Sequence, residues 1–336
     1  MNMMRIPTSG NSLRSLLIGS RRVTGGKLIK LKIVYGTTAY KKGDIMKRFG
    51  FVFTFIMLNL VYAFCGGIQD KRLVNVQEIE LNHFDEIEIQ YRSEEVVIFS
   101  NNSEEFILKE YMTENNSGYY AKIINSGNKL IVEAGQRPVR LFNLFGARIE
   151  VYIPISNKNI TIKTSSGSIK AAGEYNASLM VIESSSGNIS VNSITADIIN
   201  FKTSSGSINC QNANGNSTIE TSSGSIVCSI INSDLFIKSS SGNIHCITNE
   251  NAKDIKITTS SGSVILDIPK NFSFNFSSRS SSGSLNTPFS DKLFSPVSDK
   301  NYIQGVIDRN NTSENQITNN ISIRTSSGSI RANWID

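Results

Sequence analysis

The C-terminal half of the chain repeats one pattern of apolar and polar residues at intervals of 18 to 21 residues. A six-residue motif of the type TSSGSI marks each copy, and only the interval between the last two copies is longer. Self-similarity at such a period indicates a solenoid, in which each repeat forms one coil of a stack. The motif occurs eight times, with its glycines at Gly167, Gly187, Gly206, Gly224, Gly242, Gly262, Gly283 and Gly328.

Alignment of the copies on this glycine shows which way each side chain points. Two residues after the glycine every copy has Ile, Val or Leu, and five residues before it all copies but one have Ile or Phe. Successive residues of a strand face opposite sides, so these columns predict two short strands per coil with alternate residues inward. An α-helix would need a period of about 3.6 residues, which is absent. The pattern predicts an all-β fold, a single-stranded parallel β-helix (β-solenoid) of about ten coils.

The Ser-Ser-Gly stretch is predicted to form the corner of each coil. We expect its glycine to supply a turn with positive φ at little cost, and its serines to hydrogen-bond nearby backbone. Identical corners stacked in register would fix the alignment of the coils, because a slip of one residue inverts every side chain.

An outward column four residues before the glycine alternates in charge along much of the array. Opposite charges on neighbouring coils contribute only about 0.2–1 kcal/mol per exposed pair. We interpret the column as a means of specifying neighbours and keeping the face soluble, rather than as a ligand site. Its members are Lys163, Glu183, Lys202, Glu220, Lys238, Thr258, Arg279 and Arg324.

The segments around the regular copies are also β-rich or turn-rich. Residues 79–160 alternate apolar and polar residues between Asn, Ser and Gly, and are predicted to form irregular N-terminal coils that cap the stack. The Ser-Ser-Gly array itself extends over 161–336. Within it, residues 286–320 contain Pro288 and Pro296 and are predicted to form one degenerate coil with a protruding loop.

The N-terminal region has the layout of an export signal. A short basic stretch from Met46 precedes an apolar run of 14 residues and then small residues, which predicts a signal peptide at 46–65. The run is shorter than the roughly 20 residues of a membrane span. Because such a signal normally begins at the start of translation, residues 1–45 are interpreted as translated upstream DNA, with a genuine extension as the alternative.

The end of the signal allows two kinds of processing. Ala63 two residues before Cys65 resembles a lipoprotein box and predicts lipidation of Cys65, although Phe64 stands where a small residue is usual. Cleavage after Cys65 is the alternative. Both place the body in the envelope of a bacterium, on the outer surface or in the periplasm, with membrane contact only through the signal peptide or a lipid anchor.

Charge argues against one class of partner. The chain carries a net +6, but residues 1–48 contain 11 Lys or Arg and one Asp, so 23 basic and 27 acidic residues remain for 49–336. The body therefore lacks the basic field that nucleic-acid binding requires.

Cysteines recur at one inward position in three consecutive coils. Free cysteine packs as a small hydrophobe, so a core column is the main interpretation. The spacing of neighbouring coils also suits a disulfide in an oxidising compartment, which remains the alternative. These residues are Cys210, Cys228 and Cys246.

No catalytic, cofactor or metal site is predicted. Outside the alternating column the acidic residues of the array share no column, so a carboxylate pair is not indicated. His83 and His245 are the two histidines of the chain, and a calcium-binding GGxGxD repeat is absent. A polysaccharide-acting β-helix enzyme is kept as a remote alternative.

The stretch RIEVYIPISNKNITIKTSSGSI, the further TSSGSI copies and a last copy after a longer gap resemble the exported bacterial "putative adhesin" family of β-strand-repeat proteins. The resemblance covers roughly 80 to 332 and implies a parallel β-helix of unknown biochemical function, with no functional residues to carry over. We expect a non-catalytic surface protein, adhesin-like or scaffolding, with a surface glycan, a protein or envelope components as partners. An accessory or sensor component of an envelope-stress system is the alternative.

Overall fold

The computed structural model describes residues 70–138, 145–155, 158–231, 233–288, 294–299, 301–308 and 317–335, and four two-residue strands nearer the N-terminus. These four lie in a unit spanning Met1–Ile68 and pair antiparallel: β1 (Ser15–Leu16) with β4 (Ile33–Val34), and β2 (Val23–Thr24) with β3 (Lys27–Leu28). The predicted signal peptide at 46–65, with Cys65, lies outside the described residues, as does the rest of 1–45.

The second unit, Gln69–Asp336, is built from strands and a single 3-10 helix at Ser117–Tyr119 within the described ranges. Before the regular array the strands are β5 (Arg72–Glu80), β6 (Glu86–Gln90), β7 (Glu95–Asn101), β8 (Glu105–Met112), β9 (Lys122–Ser126), β10 (Lys129–Glu133), β11 (Ala147–Pro154) and β12 (Lys158–Thr164). The array continues with β13 (Ile169–Ser184), β14 (Ile189–Thr203), β15 (Ile208–Thr221), β16 (Ile226–Ile231), β17 (Leu235–Ser239), β18 (Ile244–Thr248), β19 (Asp254–Thr259) and β20 (Val264–Pro269). It ends with β21 (Phe274–Ser280), β22 (Leu285–Asn286), β23 (Phe294–Asp299), β24 (Tyr302–Ile307), β25 (Asn320–Thr325) and β26 (Ile330–Ile335).

The regular coils stack in parallel and in the register that the glycine alignment predicts. Ile169 faces Ile189, Ile189 faces Ile208, and the ladder continues through Ile226 and Ile244. These residues are at most 1% exposed, and Ile182, Phe201 and Ile219 of the second column are fully buried in the same cluster, so the two predicted columns form one continuous core. The predicted all-β, parallel β-solenoid is confirmed.

The stacking order at the C-terminal end differs from the chain order. β25 pairs in parallel with both β19 and β21, so the coil that contains Gly328 lies between the coils of Gly262 and Gly283. For 286–320, where the sequence predicts a degenerate coil with a protruding loop, only part of the segment is described, and that part contains two complete strands. β23 and β24 form an antiparallel pair, and β24 runs antiparallel to β21 along the last coil. Coils with the same motif can stack in either order, so the spacing of the motifs along the chain could not show that the last coil lies before the coil of Gly283 in the stack.

At the N-terminal end, too, the stacking order of the strands differs from their order in the chain. β6 lies between β10 and β12, and β7 lies between β11 and β13, all in parallel. Three further strands then continue this end in antiparallel fashion: β9 on β10, β8 on β11 and β5 on β8. Antiparallel strands therefore follow the parallel stack at both ends, which limits the addition of another parallel coil from a second molecule.

Candidate functional site

The corner glycines lie where the backbones of successive coils approach most closely. A Cβ built on any of the eight would stand 1.7–2.0 Å from a carbonyl oxygen of the neighbouring coil; for Gly224 it is 1.8 Å from the Gly206 oxygen. Positive φ occurs elsewhere among the described glycines, at Gly127, Gly173 and Gly215. The expectation that these corners need positive φ is wrong, and glycine is required there because a side chain has no room.

A buried hydroxyl three residues before each glycine completes the corner. The Thr221 Oγ1 accepts a hydrogen bond from the Gly224 N–H at 3.1 Å and donates to the Gly206 carbonyl at 3.2 Å. One hydroxyl thus satisfies a backbone donor in its own coil and a backbone acceptor in the neighbouring coil, two groups that would be costly to leave unpaired. The same pair of hydrogen bonds, one accepted and one donated by the hydroxyl, occurs at Ser184, Thr203, Ser280 and Thr325.

The three stacked cysteines are inward, buried and free. Cys210 faces Cys228 in the strand register, and Cys228 faces Cys246. Burial raises the pKa of Cys210 far above that of an ordinary thiol. A hydrogen bond with Cys246 and burial raise the pKa of Cys228 as well. The thiolate is the reactive form of cysteine, so the raised pKa keeps Cys210 and Cys228 in the unreactive thiol form.

A cluster of one arginine and two carboxylates replaces the Ser-Ser-Gly corner in the N-terminal coils. Arg137 bonds Glu94 at 2.5 Å and Glu110 at 2.6 Å, and all three side chains are at most 7% exposed. Burial opposes the ionisation of Glu94, but the charge and hydrogen bonds of Arg137 outweigh it and lower the pKa of that carboxyl.

The remaining carboxylate oxygens of this cluster are also occupied. Glu94 Oε2 accepts from the N–H groups of Arg92 and Ser93 at 2.8 Å each. Glu110 Oε2 accepts from the Asn75 amide at 2.8 Å and from the Ala121 N–H at 2.9 Å. Two carboxylates beside an arginine are a combination found in active sites, and here each of their oxygens is already bonded to a backbone N–H or a side chain of the fold.

A second polar group that the column analysis missed joins three coils on the outer face. His245 Nε2 lies 2.7 Å from Asp267 Oδ2, and the Asn333 amide donates to Asp267 Oδ1 at 2.7 Å. The interaction of His245 with Asp267 is diagonal, which is why an analysis by single columns did not reveal it. Asn333 belongs to the coil of Gly328, which lies next to the coil of Gly262 in the stack, so its hydrogen bond to Asp267 joins these two coils.

The alternating outward column forms ion pairs only along its regular part. Lys163 lies 3.8 Å from Glu183, and Lys202 lies 3.8 Å from Glu220. The alternation stops at Thr258, whose neighbour in the stack is Arg324. Arg324 in turn faces Arg279, so two like charges end the row.

Two properties concern membranes and metals. Among the residues the structure describes, no helix has the length and apolar character needed to cross a bilayer. The same residues contain no group of three or more His, Cys, Asp or Glu side chains placed to hold a metal ion.

Comparison with known proteins gives a family and several solved structures. The family model described as Toastrack DUF4097 matches residues 84–333. A "putative adhesin" from Bacteroides fragilis NCTC 9343 is 13% identical, with a TM-score of 0.43 over 77% of this chain and 96% of that chain. A "putative adhesin" from Parabacteroides distasonis ATCC 8503 is 11% identical, with a TM-score of 0.33 over 79% and 98%. A "putative cell adhesion protein" from Clostridium sporogenes ATCC 15579 is 12% identical, with a TM-score of 0.23 over 78% and 98%. No curated protein matches the chain.

Proposed function

Because the chain belongs to the Toastrack DUF4097 family, whose biochemical function is unknown, we propose that it is a non-catalytic envelope protein that acts by adhesion or scaffolding. One observation carries the proposal. The stack has a continuous apolar core and long polar faces, while antiparallel strands follow its parallel coils at both ends. Such a body is rigid and is disfavoured from growing end to end, so its faces are the surfaces available to a partner.

The buried polar groups support the non-catalytic part of the proposal. The carboxylate oxygens of the Arg137 cluster all have partners, and the three cysteines are buried thiols, of which Cys210 and Cys228 have a raised pKa. Groups committed in this way hold the fold and are not available to a substrate. For location, we propose export through the predicted signal at 46–65 and display on the outer surface, where a glycan or a protein is the partner.

Site-specific thiol labelling of intact cells tests the location. Ser205 is exposed at a corner, and we propose Ser205→Cys as a reporter in the bacterium that makes the protein. A membrane-impermeant maleimide should label the variant equally in intact and permeabilised cells. The unmodified protein is the matched control, because its cysteines at 210, 228 and 246 are at most 1% exposed and should stay unlabelled, and both predicted routes of processing leave no free thiol at Cys65.

The two outcomes separate the two candidate roles. Labelling in intact cells, together with loss of the protein when cells are treated with protease, supports surface display. Labelling only after permeabilisation, with complete protection from protease, contradicts the adhesin role. That second result would instead favour an accessory or sensor component on the inner side of the envelope.

A further inference from the structure

The outward row at the C-terminal end contains two adjacent arginines that form no ion pair with any other described residue. Arg324 and Arg279 are register partners on adjacent strands and are both exposed. Among the ion pairs between described residues, none includes either guanidinium. Like charges directly opposite each other in a sheet are destabilising, whereas the earlier part of the same row alternates in sign.

The neighbours of the pair extend the positive stretch. Toward the middle of the stack, Arg324 faces Thr258, and Thr258 faces Lys238. With Arg279, three of these four successive positions are therefore basic. Toward the C-terminal end of the stack, Arg279 faces Tyr302 of the antiparallel strand β24. The backbone of Asp299 lies one strand further out, opposite Tyr302. Two strand spacings of about 4.8 Å therefore separate the backbones of Asp299 and Arg279.

Both arginines line an open cleft on this face. Its volume is about 550 Å³, and its lining also includes Tyr302, Asn301, Ser277 and Ser281. The lining thus combines two guanidinium groups with an aromatic ring, hydroxyls and an amide. Guanidinium groups recognise planar or tetrahedral oxyanions through paired hydrogen bonds, and such sites use few but well-placed polar groups.

We propose that this cleft binds a glycan bearing carboxylate or sulfate groups, with Arg279 and Arg324 holding the anion and Tyr302 contacting the sugar ring. The inference rests on the proposed function and deepens it by naming a class of ligand. A polyanionic glycan suits a row of cations repeated at the spacing of the strands.

Binding of the purified full-length chain to defined polysaccharides tests the site. The probes are dextran sulfate, polygalacturonate and neutral dextran, measured by thermophoresis at physiological salt. The test variant is the double substitution Arg279→Gln with Arg324→Gln. The matched control is Lys163→Gln with Lys202→Gln, which removes the same two charges from the same row, where acidic neighbours already pair with them.

We expect the wild-type chain to bind at least one of the two charged polymers and not neutral dextran. The arginine variant should lose affinity by at least about tenfold, because both charge-assisted contacts are removed. The lysine control should stay within about twofold. A preference for dextran sulfate assigns a sulfate ester, and a preference for polygalacturonate assigns a carboxylate.

Three results would overturn the inference: no binding of either charged polymer, an equal loss in both double variants, or arginine-dependent binding to phosphatidylglycerol vesicles that is at least as strong. Because the measurement uses purified protein, it is independent of where the cell places the chain. A chain that binds the polymer but is not labelled on intact cells would keep this site and contradict surface display.

Discussion

Replacing Gly224 with alanine tests whether the corner glycines are required by the close approach of neighbouring coils. The added methyl would stand 1.8 Å from the Gly206 carbonyl oxygen, whereas ordinary contact begins near 3.4 Å. The two backbones would have to separate by about 1.6 Å, a third of the roughly 4.8 Å between strands. A shift of that size cannot be absorbed without disturbing the hydrogen bonds that join the coils.

The hydrogen bonds between the two coils set the size of the expected loss in the free energy of unfolding. Five of them join these two coils at the corner: Ser222 N–H to Ser204 O at 3.2 Å, Ser223 N–H to Ser204 O at 3.0 Å, Ile208 N–H to Ser225 O at 2.9 Å, Thr221 Oγ1–H to Gly206 O at 3.2 Å, and Ser225 N–H to Ser207 Oγ at 3.3 Å. Each contributes about 0.5–1.5 kcal/mol, and overpacking alone costs about 1–3 kcal/mol. We expect Gly224→Ala to lower the free energy of unfolding by about 2–4 kcal/mol.

Urea denaturation followed by circular dichroism measures this loss, with the midpoint and slope fitted separately because repeat arrays can unfold in steps. Gly118→Ala is the matched control. Gly118 is exposed and has no positive φ, and among the described residues the atom nearest to the added Cβ is Asn116 Oδ1, at 3.4 Å. The control should change stability by less than about 0.5 kcal/mol. A Gly224 variant as stable as wild type, or a control equally unstable, would refute the close-approach argument.

Three further predictions concern the buried polar groups. Thr221→Val should cost about 1–3 kcal/mol, because it leaves a glycine N–H without its acceptor, while Thr221→Ser should retain most of the stability; equal urea midpoints for the two would contradict this. Arg137→Met should cost about 3–5 kcal/mol at pH 7, since two carboxylates lose their buried cation. The loss of stability in this variant should become smaller as the pH is lowered. Because the pKa of Glu94 is lowered in the folded protein, its charge stabilises wild type above the unfolded pKa of about 4.3, and this contribution is lost as the pH falls through the folded pKa. An equal stability difference between variant and wild type in urea at pH 7 and at a pH below the folded pKa would contradict the prediction. Thiol alkylation followed by mass spectrometry should modify the buried cysteines only in denaturant, and a reductant-dependent shift in electrophoretic mobility would show instead that a disulfide forms; the residues are Cys210, Cys228 and Cys246.

The columns of the repeat could be predicted because they are a local property of the chain. A strand turns its side chains in and out with a period of two, so the parity of Ile226 and Cys228 relative to Gly224 fixes their direction without knowledge of any partner. The same parity applies to Thr221, which is buried. It could not show that this hydroxyl bonds two coils at once, because its second partner belongs to the preceding repeat.

The sequence by itself determined the fold class, the coil length, the composition of the core and the positions of the corners. All of these follow from periodicity within a window of about 20 residues. The tertiary structure alone decided the order of the coils at both ends, the reason for the corner glycines, the partners of Arg137 and the meeting of Arg279 with Arg324. Identical motifs make coils interchangeable in a stack, so the path of the connecting chain decides which residues become neighbours, and with them where charges pair and where they remain open.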